Sequence, residues 1–170
     1  MADSKVLAEI EGYRQHFDAI YVGGIPRLLN DDGAFLAFIA VITATEALAG
    51  LYAPTRGTGE RFRLFIVNYF PEEYSSIADQ LWAFRNAMVH SFNPGPFGLT
   101  HHNSRHHLKA PLGLVTLNAE DMYGALLDAS RRYFDSLVAS PELLENFLKR
   151  TQASDGGAPQ AWVVQEHPPQ

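Results

Sequence analysis

The sequence predicts an all-α protein, an up-and-down bundle of four to five helices with a short β-hairpin or extended insertion after the helix that ends near residue 92. Three observations predict it. Apolar residues recur every three or four positions over 6–20, 77–88 and 122–137, the spacing of a single helix face. Residues 34–52 are apolar nearly all round, as a central helix should be. Between 92 and 118 the helical period disappears and Pro, Gly and short extended runs replace it. With 170 residues, 46% of them hydrophobic and 19% charged, the chain reads as one globular domain over 1–150, followed by a tail over 151–170.

Val6, Ile10, Tyr13, Phe17 and Ile20 form the seam of the first helix, which Gly23-Gly24 ends. Residues 25–29 make a connector of about one turn. The second helix, 34–52, is long enough to invite a membrane reading, but Glu46, Thr43 and Thr45 and the lack of a basic flank favour a bundle core. A carboxylate there must be paired or raised in pKa. Two partners fit Glu46: an Arg of the next helix, or Arg85 or His90, which it would then orient. A third helix covers 60–69 and carries Arg61 and Arg63; Pro71 interrupts it, and Glu72-Glu73 open the next helix, where negative charge suits the dipole.

That next helix holds the most informative stretch, Leu81–Phe92. At about 100° per residue, Ile77, Leu81, Phe84 and Met88 share one narrow core stripe. Trp82, Asn86, Val89 and His90 lie on the other side with Arg85 between, and Asn93-Pro94-Gly95-Pro96 stops the helix just after His90. The pattern Arg85-Asn86-x-x-x-His90, in a helix ahead of a loop, resembles the Arg-x4-6-His signature of HEPN domains (higher eukaryotes and prokaryotes nucleotide-binding), where a polar residue, often Asn, follows the Arg. The upstream run Arg61-Phe62-Arg63-x-Phe65-x-x-x-Tyr69-Phe70-Pro71, leading into Leu81-Trp82, is similar to a group of small bacterial HEPN proteins. The resemblance spans about 3–150 as a helical pattern, and its specific part is 81–92. It implies a metal-independent endoribonuclease of toxin or phage-defence type, with its site at a homodimer interface and an antitoxin protein as a further partner.

The residue chemistry is compatible with that expectation. Cleavage of RNA by its own 2′-OH needs proton transfer at the attacking and leaving oxygens and a cation for the transition-state charge. His90 supplies proton transfer, as an acid first because a helix C-terminus favours imidazolium. Arg85 is the phosphate clamp, and Asn86 orients His90 or hydrogen-bonds the phosphate. One such set is sparse, whereas two across a two-fold axis are adequate, and the Trp82–Val89 face offers a surface for the second copy. Arg61, Arg63, Arg105 and Lys109 are candidate substrate contacts. No metal and no cofactor is expected. The residues alone leave two other readings open: a catalytically silent module binding RNA or a nucleotide, and a dimeric protein-interaction bundle in which His90 only caps carbonyls.

The insertion reads as two arms, 97–102 and 105–109, about Asn103-Ser104, then a further extended piece through Leu112, Leu114, Val115 and Leu117. A two-residue turn would set His101 opposite His106 and His102 opposite Arg105. With no carboxylate nearby in sequence, His101, His102, His106 and His107 read as a solvated, pH-sensitive loop and not as a zinc site. Asn118 should cap a fourth long helix carrying Met122, Leu126, Ala129, Tyr133 and Leu137, and Ser140-Pro141 separates it from a last helix over 141–150. In the tail only Ala161-Trp162-Val163-Val164 is apolar. A net charge of −6 argues against non-specific nucleic-acid binding over the whole surface, so any RNA contact is local. The absence of cysteine excludes disulfides and thiolate metal sites, and with no signal-type apolar run after Met1 a cytoplasmic protein without membrane contact is expected.

Overall fold

The computed structural model describes residues 4–31 and 33–153; the apolar 161–164 piece of the tail lies outside them. Helices dominate: α1 Ser4–Phe17, α2 Ile25–Asn30, α3 Ala34–Tyr52, α4 Thr58–Tyr69, α5 Ala78–Ser91, α6 Ala119–Leu137 and α7 Pro141–Ala153. Two short strands, β1 Phe97–Thr100 and β2 Val115–Asn118, lie in the insertion between α5 and α6.

α3 is the centre of the bundle. It packs against α2, α4, α5, α6 and α7. Ala37, Phe38, Val41, Ile42, Ala44, Leu48 and Ala49 are fully enclosed, which is why the apolar residues run around the helix without a polar face. It is also the one helix among the described residues long and apolar enough to cross a membrane, and half of that stretch is buried by its neighbours. At its far end Asn146 of α7 donates its amide to the Tyr52 carbonyl at 3.1 Å, satisfying one of the free acceptors of the last turn. Around the lower half of α3, Tyr52, Phe65, Tyr69 and Tyr133 make edge-on and stacked ring contacts at 4.9–6.0 Å.

α6 bears out its reading in detail. Met122, Leu126, Ala129, Tyr133 and Leu137 are all buried, and the Asn118 side chain caps the start by accepting the Asp121 N–H at 3.1 Å. α7 continues past residue 150 to Ala153, and the buried Thr151 hydroxyl donates to Glu9 of α1 at 2.9 Å.

The first helix departs from its seam. After Phe17 the backbone widens into one turn of π-helix, Asp18–Val22. A π-turn uses more residues per turn than an α-helix, so every side chain beyond it rotates off the stripe. Ile20, expected in the core, is exposed, and Tyr21 takes its place against Phe17 at 5.0 Å. Likewise the start of the motif helix is a 3-10 turn, Glu72–Ile77, ahead of α5.

The larger correction is the sheet. No hairpin forms about Asn103-Ser104. β1 pairs with β2 in parallel, in the register Phe97↔Val115 through Thr100↔Asn118. Parallel partners cannot be joined by a tight turn, so the intervening residues cross over as a loop with one 3-10 turn, Ser104–His106. Asn103 sets that turn by accepting the Arg105 N–H at 3.1 Å, and so competes with the tight turn that a hairpin would need.

Candidate functional site on α5

The core stripe of α5 fixes what the rest of the helix presents. Ile77, Leu81, Phe84 and Met88 are buried as expected, with Phe84 edge-on to Phe38 of α3 and to Phe97 of β1. Rotation about the helix then brings Arg85, Asn86 and His90 to the surface beside α3. Phe92 ends the helix with a left-handed backbone (φ 52°), and Asn93 accepts the Gly95 N–H at 2.8 Å in the turn that follows.

Arg85 is the hub. Its Nε donates to Glu46 Oε2 of α3 at 2.7 Å, a charge-assisted bond between side chains only 21% and 23% exposed. Its Nη1 donates to Asn86 Oδ1 at 3.1 Å and approaches His90 Nε2 at 3.5 Å. The guanidinium carbon lies 5.3 Å from the Trp82 ring centroid, within cation–π range. A guanidinium has only donors, so the His90 nitrogen facing it must accept. The neutral ring then carries its proton on Nδ1. Among the described residues no acceptor meets Nη2 of Arg85, and His90 is exposed.

The structure therefore brings Arg85, Asn86 and His90 together and adds Glu46 in the orienting position, one of the two partnerships its sequence setting allowed. It does not leave Trp82 on an open face. The indole is half-buried, tilted against Phe62 at 5.5 Å, and seated on Gly59 of α4, where a Cβ would fall 2.9 Å from the ring. The missing side chain at Gly59 makes the slot that covers Trp82. Val89 and Phe92, 40% and 80% exposed, remain as the apolar part of this surface.

Among the described residues none of the four candidate substrate contacts shares a hydrogen bond with Arg85, Asn86 or His90. Arg61 is half-buried over Gly50 of α3 beside Arg150, with its Nε enclosed and without a hydrogen-bond partner. Arg63 pairs with Asp79 at 3.3 Å, at the opposite end of α5 from His90. Arg105 and Lys109 sit on the crossover, where the Lys109 ammonium donates to the Arg105 carbonyl at 3.1 Å.

The histidines of the insertion do not act as one solvated loop. His107 is half-buried, bridges to Thr116 of β2, and accepts the Asn118 N–H at Nδ1 at 3.0 Å. Its Nε2–H therefore faces Tyr74 Oη, 2.8 Å away, and the Tyr74 hydroxyl in turn donates to the Asp121 carbonyl at 3.4 Å. Burial lowers the His107 pKa, against smaller opposing effects of Asp121 and Glu73, and burial also raises that of Tyr74. At the other end of the cluster a carboxylate is present after all. His102 Nδ1 lies 2.9 Å from Glu120 Oε1. Partial burial pushes the Glu120 carboxyl up, and the hydrogen bonds it accepts, led by the His102 N–H, more than offset this and hold it below its usual range. Neither His107 nor Glu120 was legible as a partner, because both contacts depend on the parallel register.

Comparison of the chain with models of known protein families, with curated proteins and with solved structures finds no match in any of the three.

Proposed function

We propose that the Arg85 hub is half of a metal-independent endoribonuclease site of the HEPN kind, completed by a second copy of the chain. The observation that carries the reading is the convergence of one guanidinium nitrogen on Asn86 Oδ1 and His90 Nε2 at a solvent-facing helix end. Glu46 holds the guanidinium from behind through Nε, which leaves Nη2 for a phosphate oxygen. His90 serves as the base once the 2′-OH displaces the 3.5 Å Arg85 contact and takes up the single Nε2 lone pair, in place of the acid role that the helix end alone suggested. The 2′-oxygen then attacks the adjacent phosphorus, the bond to the 5′-oxygen breaks, and that oxygen needs a proton from the far side. A single imidazole cannot stand on both sides of the phosphate at once. His90 of a second copy, in its protonated form, fills the acid role, with the exposed Val89 and Phe92 beside the site as the apolar contact.

A silent binding module is the second reading, and Glu46 favours it. A carboxylate already spends the positive charge that a phosphate would claim. Digestion of RNA in EDTA separates the two. Cleavage that survives EDTA, leaves 2′,3′-cyclic phosphate ends and disappears in His90→Ala and Arg85→Ala supports the nuclease. Binding without cleavage selects the silent module, and neither binding nor cleavage leaves a protein-interaction bundle. A cytoplasmic setting and a protein antitoxin belong to the nuclease reading and fall with it.

A further inference from the structure

The parallel ladder has a second outcome at its far end. Its last register pair is Thr100↔Asn118, so the two chains leave the sheet side by side, and His102 comes to lie against Glu120 in the first turn of α6. The His102 N–H donates to both carboxylate oxygens at 3.0 Å, and its Nδ1 stands 2.9 Å from Oε1. Successive side chains on an extended strand point to opposite faces. Here His102 has a left-handed backbone, φ 55°, which a non-glycine residue adopts at some cost. That turn puts both imidazoles on one side, with ring centroids 4.6 Å apart. One ligand atom from each of His101, His102 and Glu120 lies within 4.8 Å of the other two.

We propose that His101, His102 and Glu120 form a binding site for a divalent transition-metal ion of the zinc class, with one coordination position open to solvent. Two neutral imidazoles and one carboxylate are a donor set that zinc takes in open, three-ligand sites. Tetrahedral coordination at about 2.0–2.2 Å places ligand atoms roughly 3.4 Å apart. The His102–Glu120 contact must therefore open slightly and the His101 ring close in, and both histidines are exposed and free to do so. A single bound ion would tie the end of β1 to the start of α6. The site is separate from the Arg85 hub and stands or falls independently of the ribonuclease reading.

Zinc chloride titrated calorimetrically into the full chain tests it, alongside His101→Ala, His102→Asn and Glu120→Gln. Asn tolerates the left-handed backbone at 102, and Gln keeps an acceptor for the His102 N–H, so both variants should fold; circular dichroism melts check this. The expected result is one zinc per chain, with affinity reduced roughly tenfold or more in each variant and unchanged in His106→Ala. Cobalt substituted for zinc should give the visible absorption of a four-coordinate ion. No zinc uptake overturns the proposal, as does an affinity unchanged in any of the three ligand variants.

Discussion

Replacing Glu46 by Gln removes the charge that holds Arg85 and leaves the shape of the residue intact. The wild-type contact is a 2.7 Å Nε···Oε2 bond with about four-fifths of each side chain withdrawn from water. Fully exposed pairs contribute only about 0.2–1 kcal/mol, while hydrogen bonds to charged groups contribute about 1.5–3 kcal/mol. Partial burial places this pair between those ranges, and we expect a coupling near ~1.5 kcal/mol. A double-mutant cycle of Glu46→Leu and Arg85→Met, read by urea denaturation, isolates that pairwise value, because Leu, unlike Gln, offers Arg85 Nε no acceptor. Loss of the whole pair corresponds to about 3–6 °C in melting temperature, since a protein of this size shifts about 2–4 °C per kcal/mol, and Glu46→Gln, which keeps a neutral acceptor for Arg85 Nε, should lose less than that. A coupling below ~0.3 kcal/mol would refute the argument that α3 positions the guanidinium. In that case Arg85 would be held by Trp82 and Asn86 alone.

Three other substitutions probe the packing beyond the Glu46–Arg85 pair. His107→Phe keeps a ring in place but leaves the enclosed Asn118 N–H without its acceptor, at a cost of about 1–3 kcal/mol. Because the folded His107 pKa lies below the ordinary 6.5, the unfolded chain binds the extra proton first. The stability due to His107 is thus complete above 6.5 and is lost as pH falls through the folded value; melts between pH 7.5 and 5 should show a shallower acid loss in the variant. His16, also lowered by burial, keeps part of that loss in both proteins. Gly59→Ala should destabilise the chain and redshift Trp82 fluorescence, because its Cβ meets the indole at 2.9 Å. Gly124→Ala, in α6 with nothing within 4 Å of its Cβ, should instead stabilise by about 0.5–1 kcal/mol; equal effects in both would contradict the packing at Trp82.

What the sequence disclosed, it disclosed through local periodicity. The bounds of α3, 34–52, follow from a run that is apolar nearly all round between turn residues, and the α5 and α6 stripes follow from the 3.6-residue repeat. Even the Glu46–Arg85 contact was within reach, since a carboxylate in a core helix has few partners to choose from. The failures share a cause: each depends on something non-local. A π-turn at Asp18–Val22 shifts the register of Ile20 without any residue announcing it. Trp82 is covered because another helix offers a glycine where it lands. The parallel sheet pairs 97–100 with 115–118 across a crossover, a pairing that local alternation about Asn103-Ser104 does not reveal. With the register went both histidine contacts, to Glu120 and to Tyr74.

The placement of Glu46 ties these threads to the chemistry. A guanidinium intended only as a surface clamp would gain nothing from a carboxylate on its Nε; the ion pair lowers its net charge and its pull on phosphate. What the pair does supply is direction. With Nε fixed to α3 and the guanidinium carbon 5.3 Å from the Trp82 ring centroid, Nη1 is held toward Asn86 and His90, and Nη2 meets no acceptor among the described residues. Orientation at the cost of charge suits a site that must distinguish the transition state from the ground state, where geometry counts for more than attraction. On the ribonuclease proposal, a net charge of −6 does not draw RNA in from a distance, so a phosphate would have to reach Arg85 through close contacts, and Arg85 of the proposed second copy would supply the positive charge that Glu46 has taken away.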